Sequence, residues 1–343
     1  MLNRVVVSCG AVVSLVALGP LGSLAQETRP TGASTAWKVP RTSWGHPDLQ
    51  GIWTTDAEIG VSFERSVEFG GKALLTDQEF ADRNERLKKR YQDNKEDRRG
   101  RPGDVEAGPE HWYEGGAHVS HRTSLIIDPA NGRMPEYTAE AKQRVVPKGT
   151  EINAGGSFGN GPFDGPEDLH LADRCITRGL PHTWLPSEYN NGFQIVQSAD
   201  HVAIYYERLH EARVIPFHGR PPLTSSIGRW MGESRARWDG DTLVIDVTNL
   251  SDQTTWRKSP GSTRRLTERL TRVEPDTVRV EVTVNDPTTW TRPWTFAVTG
   301  KKDSNYWQIF EYACHEGNYS MRNILSGARA QEKAAAAPGK KSN

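Results

Sequence analysis

The carboxyl-terminal half of the chain is a succession of short β-rich runs separated by turn residues, and this pattern constrains the fold most. Two of the runs, 233–238 and 242–247, flank Asp239-Gly240, a dipeptide that strongly favours a tight hairpin. The run 278–284 alternates between apolar and polar residues, as a strand with one buried face does. Eight or nine such strands follow Gly192 in hairpin order. Because a long open sheet would leave two unpaired edges, we expect this meander to close or to bend strongly.

The predicted fold is therefore all-β with short helical insertions, an antiparallel meander that closes into a β-barrel or a strongly bent sheet. Thr76-Asp77-Gln78-Glu79 forms a capping box, which predicts a helix directly after it. Residues 76–190 hold this and other helical or irregular insertions within a single β-rich domain at 44–330. An early strand contains Gly51-Ile52-Trp53, which resembles the Gly-x-Trp signature of lipocalin-type (calycin) barrels. The alternative is that Trp53 is simply a core residue.

The first 25 residues have the pattern of a secretory signal peptide. A basic residue, Arg4, precedes an apolar run, and small residues precede the expected cleavage after Ala25. The run is too short and too interrupted by glycine for a good membrane span. We expect a periplasmic or secreted protein with no membrane insertion after signal cleavage, a linker at 26–43 and a disordered tail at 331–343.

Export also decides how the cysteines are interpreted. Cys9 leaves with the signal peptide, so the mature chain retains Cys175 and Cys314. In an oxidising compartment such a pair favours a disulfide over two free thiols or a thiol catalyst.

The charge balance and the missing motifs argue against several classes of partner. Basic and acidic residues each number 43 in 343 residues, and the mean hydropathy is −0.67. A neutral protein has no global field that attracts nucleic acid or anionic lipid. No G-x-G-x-x-G follows a strand, so no nucleotide cofactor is expected, and no Gly-x-Ser-x-Gly elbow supports a serine hydrolase. A small uncharged organic molecule is the expected ligand or substrate.

Two longer motifs carry a family resemblance. They are Trp238-Asp239-Gly240-Asp241-Thr242-Leu243-Val244-Ile245-Asp246 and Glu311-Tyr312-Ala313-Cys314-His315-Glu316-Gly317-Asn318-Tyr319. Through them the chain resembles a largely uncharacterised family of exported bacterial β-rich proteins, from about residue 44 to about residue 330. The resemblance implies a secreted β-rich fold and the pairing of Cys175 with Cys314. It implies no particular activity, cofactor or catalytic residue.

A bridge between Cys175 and Cys314 would also bring two polar segments together, because bridged Cα atoms lie within about 7 Å of each other. The titratable residues beside these cysteines are His170, Asp173, His315 and Glu316. These four are the candidate catalytic residues, since they could form a general acid–base pair or supply N and O ligands to a divalent metal. The alternative is that loop histidines merely hydrogen-bond to backbone carbonyls.

His118 and His121 are the further candidates for a metal site. Their i, i+3 spacing lacks the H-E-x-x-H frame of a zinc-binding helix. A divalent metal is therefore compatible with the sequence but not required by it.

Other residues are candidates for binding a ligand. The hairpin set is Glu207, His210, Glu211, Arg213 and Asp246, and the loop set is Trp112, Trp184, Trp230 and Trp256. An arginine with carboxylates can grip a polar ligand, although on strands such groups are most often cross-strand ion pairs. Tryptophan rings in irregular regions stack well on sugars and flat ring systems.

Together these features favour a secreted or periplasmic β-barrel enzyme. It would act on a small uncharged or glycosidic molecule through His/carboxylate acid–base chemistry, as a lyase, hydratase, isomerase or hydrolase. A non-catalytic carrier of a hydrophobic small molecule and an envelope interaction module are the alternatives. Two histidines distinguish the enzyme from the carrier. An enzyme needs His170 and His315 for turnover, whereas a carrier needs neither for affinity.

Overall fold

The computed structural model describes residues 37–98, 120–152, 162–217, 221, 223–304 and 306–336, and this part of the chain is mostly β. Its strands are β1 (Gly51–Thr54), β2 (Ile126–Asp128), β3 (Gly192–Gln197), β4 (His201–Tyr206), β5 (Glu211–Pro216), β6 (Glu233–Asp239), β7 (Thr242–Thr248), β8 (Arg265–Glu274), β9 (Thr277–Asn285) and β10 (Trp294–Lys301). They form one antiparallel sheet in the order β5-β4-β3-β1-β10-β9-β8-β7-β6, with β2 paired to β10 off this path. The predicted antiparallel, β-rich fold is confirmed.

Local sequence explains the hairpins and the faces of the strands. The loop between β6 and β7 is Gly240-Asp241, and Gly240 has a φ of +60°. Glycine adopts this left-handed conformation without strain, as a tight hairpin requires. In β9 the alternation sets one buried face, whose completely buried residues are Val278, Val280, Val282 and Val284.

The strands do not follow one uninterrupted meander. β3 to β5 form a three-stranded run and β6 to β10 a five-stranded run, and β1 joins the two by pairing with β3 and β10. β5 and β6, at the two ends of the path, lie close together, but no backbone ladder joins them within the described ranges. Arg213 of β5 instead donates to the Ser234 hydroxyl of β6 over 3.2 Å. We call this unpaired junction the seam. The sheet is strongly curled, and closure into a β-barrel is not confirmed.

One buried cluster fills the interior of the curled sheet. Trp53, Trp294 and Phe296 are completely buried members of it. The indole Nε1 of Trp53 donates to the Leu49 carbonyl over 3.1 Å, and the Arg272 guanidinium lies 5.6 Å from the Trp53 ring centroid. Trp53 is thus a core residue that also contacts the segment before β1, through Leu49, and strand β8, through Arg272.

The helices begin where the sequence indicates. α1 (Asp77–Arg98) starts at the predicted capping box, in which the Thr76 N–H donates to Glu79 Oε2 over 2.8 Å and the Glu79 N–H donates to Thr76 Oγ1 over 3.3 Å. α2 (Ala139–Gln143) is capped by the side chain of Thr138. Both helices lie in the region predicted to hold insertions.

Near the carboxyl terminus the structure differs from the predictions in two respects. The segment 306–314, expected as a last strand, is irregular, and Trp307 within it is 70% exposed. Both edges of β10 are already paired, with β9 on one side and with β1 and β2 on the other, so no edge is left there for another strand. α3 (Tyr319–Ala336) includes residues 331–336 of the expected disordered tail, because their Ala-, Glu- and Lys-rich sequence has high helix propensity.

Candidate functional site

The segment 178–192 lies against the interior of the sheet, where β3 begins and β4 ends. Its residue Trp184 is only 1% exposed. The Trp184 ring packs edge-on against Phe193 and Tyr206, with centroid distances of 5.3 and 5.1 Å. The indole Nε1 donates to the Glu268 carboxylate over 2.9 Å. Trp184 therefore ties this segment to the buried interior.

A buried ion pair lies directly behind Trp184. Arg213 Nη2 donates to Glu268 Oε2 over 2.7 Å and to the Tyr206 hydroxyl over 2.6 Å. Arg213 is 5% exposed and Glu268 is completely buried. Burial alone would lower the pKa of Arg213, but the Glu268 carboxylate raises that pKa above its usual value, so the guanidinium stays charged. The ion pair connects β5 with β8 across the interior, next to the seam.

A narrow cleft opens between the 178–192 segment and the turn that joins β4 to β5. The cleft is small, because the centre of a water molecule can occupy only about 10 Å³ within it. Trp184, Phe193 and Tyr206 form apolar walls, and Arg178 and Arg208 contribute charged groups. Apolar walls with a few polar groups are typical of small-molecule sites.

Gly192 allows three chain segments to meet beside the cleft. A Cβ atom at Gly192 would lie 2.5 Å from Tyr306 and 2.8 Å from Glu207. Glu207, which is 2% exposed, accepts hydrogen bonds from the Tyr306 hydroxyl over 2.5 Å and from the Gly192 N–H over 3.2 Å. Glu207, a predicted ligand residue, thus has internal partners that fix the start of β3.

Two arginines line the cleft without a carboxylate partner. Arg178 is 7% exposed, and its guanidinium makes neither a hydrogen bond nor an ion pair with the residues described. Arg208 donates to the hydroxyls of Ser187 and Tyr189 and lies 4.4 Å from the Tyr189 ring centroid. Burial and the nearby charge of Arg208 hold the pKa of Arg178 well below its usual value. The charged form of Arg178 is therefore destabilised in the cleft as it stands.

A carboxyl group and an imidazole lie behind Arg178. Glu211 accepts hydrogen bonds from two threonine hydroxyls and, over 3.0 Å, from the Arg178 backbone N–H. Burial raises the pKa of Glu211. Burial, with the charges of Arg178 and Arg208, holds the pKa of His182 well below its usual value, so the imidazole is neutral.

The predicted disulfide between Cys175 and Cys314 is present, with its Cα atoms 5.8 Å apart. It keeps Tyr312 close to Arg208, whose charge acts on the Tyr312 hydroxyl. The backbone N–H of Tyr312 donates to His210 Nδ1 over 2.8 Å. Burial raises the pKa of Tyr312 to about 12, so its hydroxyl keeps its proton at neutral pH.

The disulfide does not assemble the four predicted catalytic side chains into one site. His170 Nδ1 donates to a backbone carbonyl, that of Glu151, over 3.0 Å. His315 and Glu316 are exposed. The contact between the two segments is made instead by Asn318, whose Nδ2 donates to the Asp173 carbonyl over 2.7 Å. A bridge restricts the distance between two Cα atoms but not the direction of the neighbouring side chains.

Asp173 nevertheless has an unusual carboxyl group. Its Oδ2 atom is buried and has no hydrogen-bond partner among the described residues. Burial raises the pKa of Asp173, and the nearby His170 limits that rise. Folding therefore disfavours the ionised form of this carboxyl.

Replacing Asp173 with asparagine is expected to raise the free energy of unfolding at pH 7 to 8 and to change it little near pH 4. Folding raises the pKa of Asp173. The contribution of this carboxyl to the free energy of unfolding is therefore fully present below its unfolded-state pKa of about 3.9. It is lost as the pH rises through the folded-state pKa. Urea unfolding at both pH values measures the difference. Asp168→Asn is the control, and it should instead lower the free energy of unfolding at pH 7 to 8. The reason is that a backbone hydrogen bond from Asp164 lowers the pKa of Asp168. An Asp173→Asn protein less stable than wild type at pH 7 would contradict the prediction.

Of the two predicted metal ligands, only His121 lies within the described residues. Within the ranges that the structure describes, no group of three or more His, Cys, Asp or Glu side chains is arranged to hold a metal ion. His121 stacks on Phe80 with ring centroids 4.0 Å apart, and its Nε2 lies 3.4 Å from the Asp77 carboxylate. His118 lies outside the described residues.

Asp246 does not face Arg213 across the sheet. It lies on the outer face of β7, where it accepts hydrogen bonds from Arg237 and, over 3.0 Å, from the Thr267 hydroxyl. Alternation explains this position, because Asp246 is out of step with the buried residues Leu243, Ile245 and Val247.

The predicted tryptophans occupy different surroundings. Trp184 lines the cleft. Trp256 is completely buried and stacks on Trp294 with centroids 5.7 Å apart, and Trp230 is 37% exposed in the connection between β5 and β6. Trp112 lies outside the described residues.

Sequence reasoning missed Arg178, Arg208 and Tyr312. Arg178 follows Cys175 by three residues, and Tyr312 precedes Cys314 by two. Their positions beside the two cysteines were the signal in the sequence that pointed to both residues. Arg208 carried the weaker signal of a basic residue in a hairpin turn.

No protein-family model, curated protein or solved structure matched this chain. No helix in the described ranges is both long enough and apolar enough to cross a bilayer. The predicted signal peptide at 1–25 lies outside those ranges. The functional interpretation accordingly depends on the geometry of the cleft.

Proposed function

We propose that this protein is an exported, β-rich protein that binds a small organic molecule in the cleft. The observation that carries the proposal is the composition of the cleft walls. The aromatic residues Trp184, Phe193 and Tyr206 and the arginines Arg178 and Arg208 all line the cleft. Such walls bind the apolar body of a ligand and orient it through a few polar contacts.

Export is supported by two independent features. The Cys175–Cys314 disulfide is typical of an oxidising compartment, and the first 25 residues have the pattern of a signal peptide. A periplasmic or secreted location is therefore part of the proposal.

We also propose that the curled sheet works as a lipocalin-like barrel. In this barrel, side-chain contacts rather than a backbone ladder join β5 to β6 at the seam. The proximity of β5 to β6, the Arg213–Ser234 hydrogen bond and the burial of Trp53 support this interpretation. Ligand sites in β-barrels lie in the mouth of the barrel, and the cleft likewise lies where β3 begins and β4 ends.

Acid–base catalysis is the second candidate function, and Asp173 is the observation that favours it. A carboxyl group whose pKa is raised by burial can hold a proton for transfer, with His170 as its neighbour. The reaction would be of the lyase, isomerase or hydrolase type. Loss of turnover in Asp173→Asn, with ligand affinity retained, distinguishes catalysis from binding alone.

Filling the cleft is expected to abolish binding without unfolding the protein. Thr183 lines the cleft and is not completely buried, so Thr183→Trp places a large ring in the empty space. A fragment set of neutral and charged aromatic compounds and sugars, screened by NMR and by calorimetry, should contain compounds that bind wild type. Their affinity should fall at least about tenfold in Thr183→Trp.

The matched control is Thr291→Trp, an exposed threonine outside the cleft. This variant should bind the same fragments as wild type does. The proposed function is wrong if no fragment binds wild type, or if Thr183→Trp and Thr291→Trp bind equally well while both remain folded.

A further inference from the structure

We propose that the ligand of this cleft carries an oxyanion, a carboxylate or a phosphate monoester, bound between Arg178 and Arg208. The inference rests on the proposed function and names the chemical class of the ligand. It replaces the expectation of an uncharged ligand, which came from the net charge of the whole chain.

The first support is the isolation of Arg178. This residue is 7% exposed, lines the cleft, and has no ion pair or side-chain hydrogen bond within the described part of the chain. Removing a guanidinium from water without a partner is costly, and proteins normally compensate with a carboxylate or with hydrogen bonds. An anion in the cleft would provide that compensation.

The second support is the hydrogen bonding of Arg208. Its hydrogen-bond partners are the hydroxyls of Ser187 and Tyr189, and the Asp173 carboxyl interacts with its charge without forming an ion pair. The pKa of Arg178 is lowered first by burial and then by repulsion from the charge of Arg208. An oxyanion lying between them would interact favourably with both.

The nearby acidic groups have other partners. Glu211 accepts from the Arg178 backbone N–H and from threonine hydroxyls, and burial raises its pKa. Glu207 accepts from Tyr306 and Gly192. Asp56 accepts from the Asn191 side chain over 2.8 Å. Glu211 and Asp173 interact electrostatically with Arg178 and Arg208, but none of the described carboxyl groups forms an ion pair with either guanidinium.

Guanidinium chemistry suits such a ligand. The planar fork of arginine matches the geometry of carboxylate and phosphate oxygens and binds them in a bidentate manner. The aromatic walls of Trp184 and Phe193 would contact the apolar part of the same molecule. An aromatic or otherwise apolar acid combines the two properties.

The test compares probes that share a phenyl ring and differ in charge, namely benzoate, phenyl phosphate and the neutral benzamide. Calorimetric titration of the full-length protein is expected to show at least one of the two anions binding about tenfold or more tightly than benzamide. The preference should shrink as salt is added, because salt screens the charges. Which anion binds more tightly identifies the ligand group.

Variants of the two arginines test whether these residues cause the preference for an anion over benzamide. Arg178→Met should remove the preference for the anion, whereas Arg178→Lys, which keeps the charge, should retain part of it. Arg279→Met is the control, because Arg279 lies on an exposed strand position and pairs with Glu281. If Arg178→Met fails to fold, Arg208→Met makes the same test from the half-buried side of the cleft.

The possible outcomes separate this inference from the proposed function. Equal affinity for benzamide and for both anions overturns the oxyanion ligand, and so does an anion preference that survives in both Arg178→Met and Arg208→Met. If benzamide binding is then lost in Thr183→Trp, the small-molecule site still stands. If no probe or fragment binds wild type, both proposals are overturned.

Discussion

Replacing Glu268 with glutamine is expected to lower the free energy of unfolding by about 3 to 5 kcal/mol, because Arg213 would keep its charge in the interior without a carboxylate. Glu268 is completely buried, and its two carboxylate oxygens accept from Arg213 and from Trp184. Equilibrium unfolding in urea, followed by tryptophan fluorescence and by circular dichroism, measures the loss.

Two further variants show whether the burial of the pair is the cause. Asp246→Asn breaks an exposed pair with Arg237 on the outer face and should cost less than about 1 kcal/mol. The double variant Arg213→Met with Glu268→Met should recover most of the loss, since it leaves no unpaired charge inside. A loss below about 1 kcal/mol in Glu268→Gln would show that Arg213 does not depend on Glu268.

Removing the disulfide is expected to have a comparable effect. Cys175 and Cys314 are 139 residues apart, and in the chain-entropy model a loop of this length contributes about 4 to 5 kcal/mol. The double variant Cys175→Ser with Cys314→Ser should therefore unfold at clearly lower urea concentration. Affinity for any cleft ligand should also fall, because Tyr312 would no longer be kept close to Arg208, which lines the cleft.

Alkylation provides the independent check of the bridge. Without reductant, neither Cys175 nor Cys314 should be labelled, and after reduction both should be. Reduced wild-type protein should match the double variant in stability. Efficient labelling of both thiols without reductant would contradict the disulfide.

Much of the sheet could be predicted from local patterns. The alternation in β9 and the Asp239-Gly240 turn depend on neighbouring residues, which the sequence displays directly. The seam between β5 and β6 could not be predicted in this way. It depends on β1 pairing with β3 and β10, contacts between segments that are far apart in the chain.

The site was harder to predict than the sheet. The disulfide was correctly expected, but His315 and Glu316 are exposed to solvent, and Tyr312 on the other side of Cys314 lies near Arg208. One signal was available for the buried ion pair. Glu268 is in step with Leu266 and Leu270 on β8, so strand alternation places its carboxylate on the buried face.

The seam has a consequence for self-association. An unpaired strand edge is a template on which a second copy of the chain can add, and aggregation often begins there. In this protein the edges of β5 and β6 lie against each other, and the Arg213–Ser234 contact keeps them together. The buried ion pair therefore also helps to keep the unpaired edges of β5 and β6 away from other chains. A chain that loses Glu268 would become prone to aggregation before it unfolds completely.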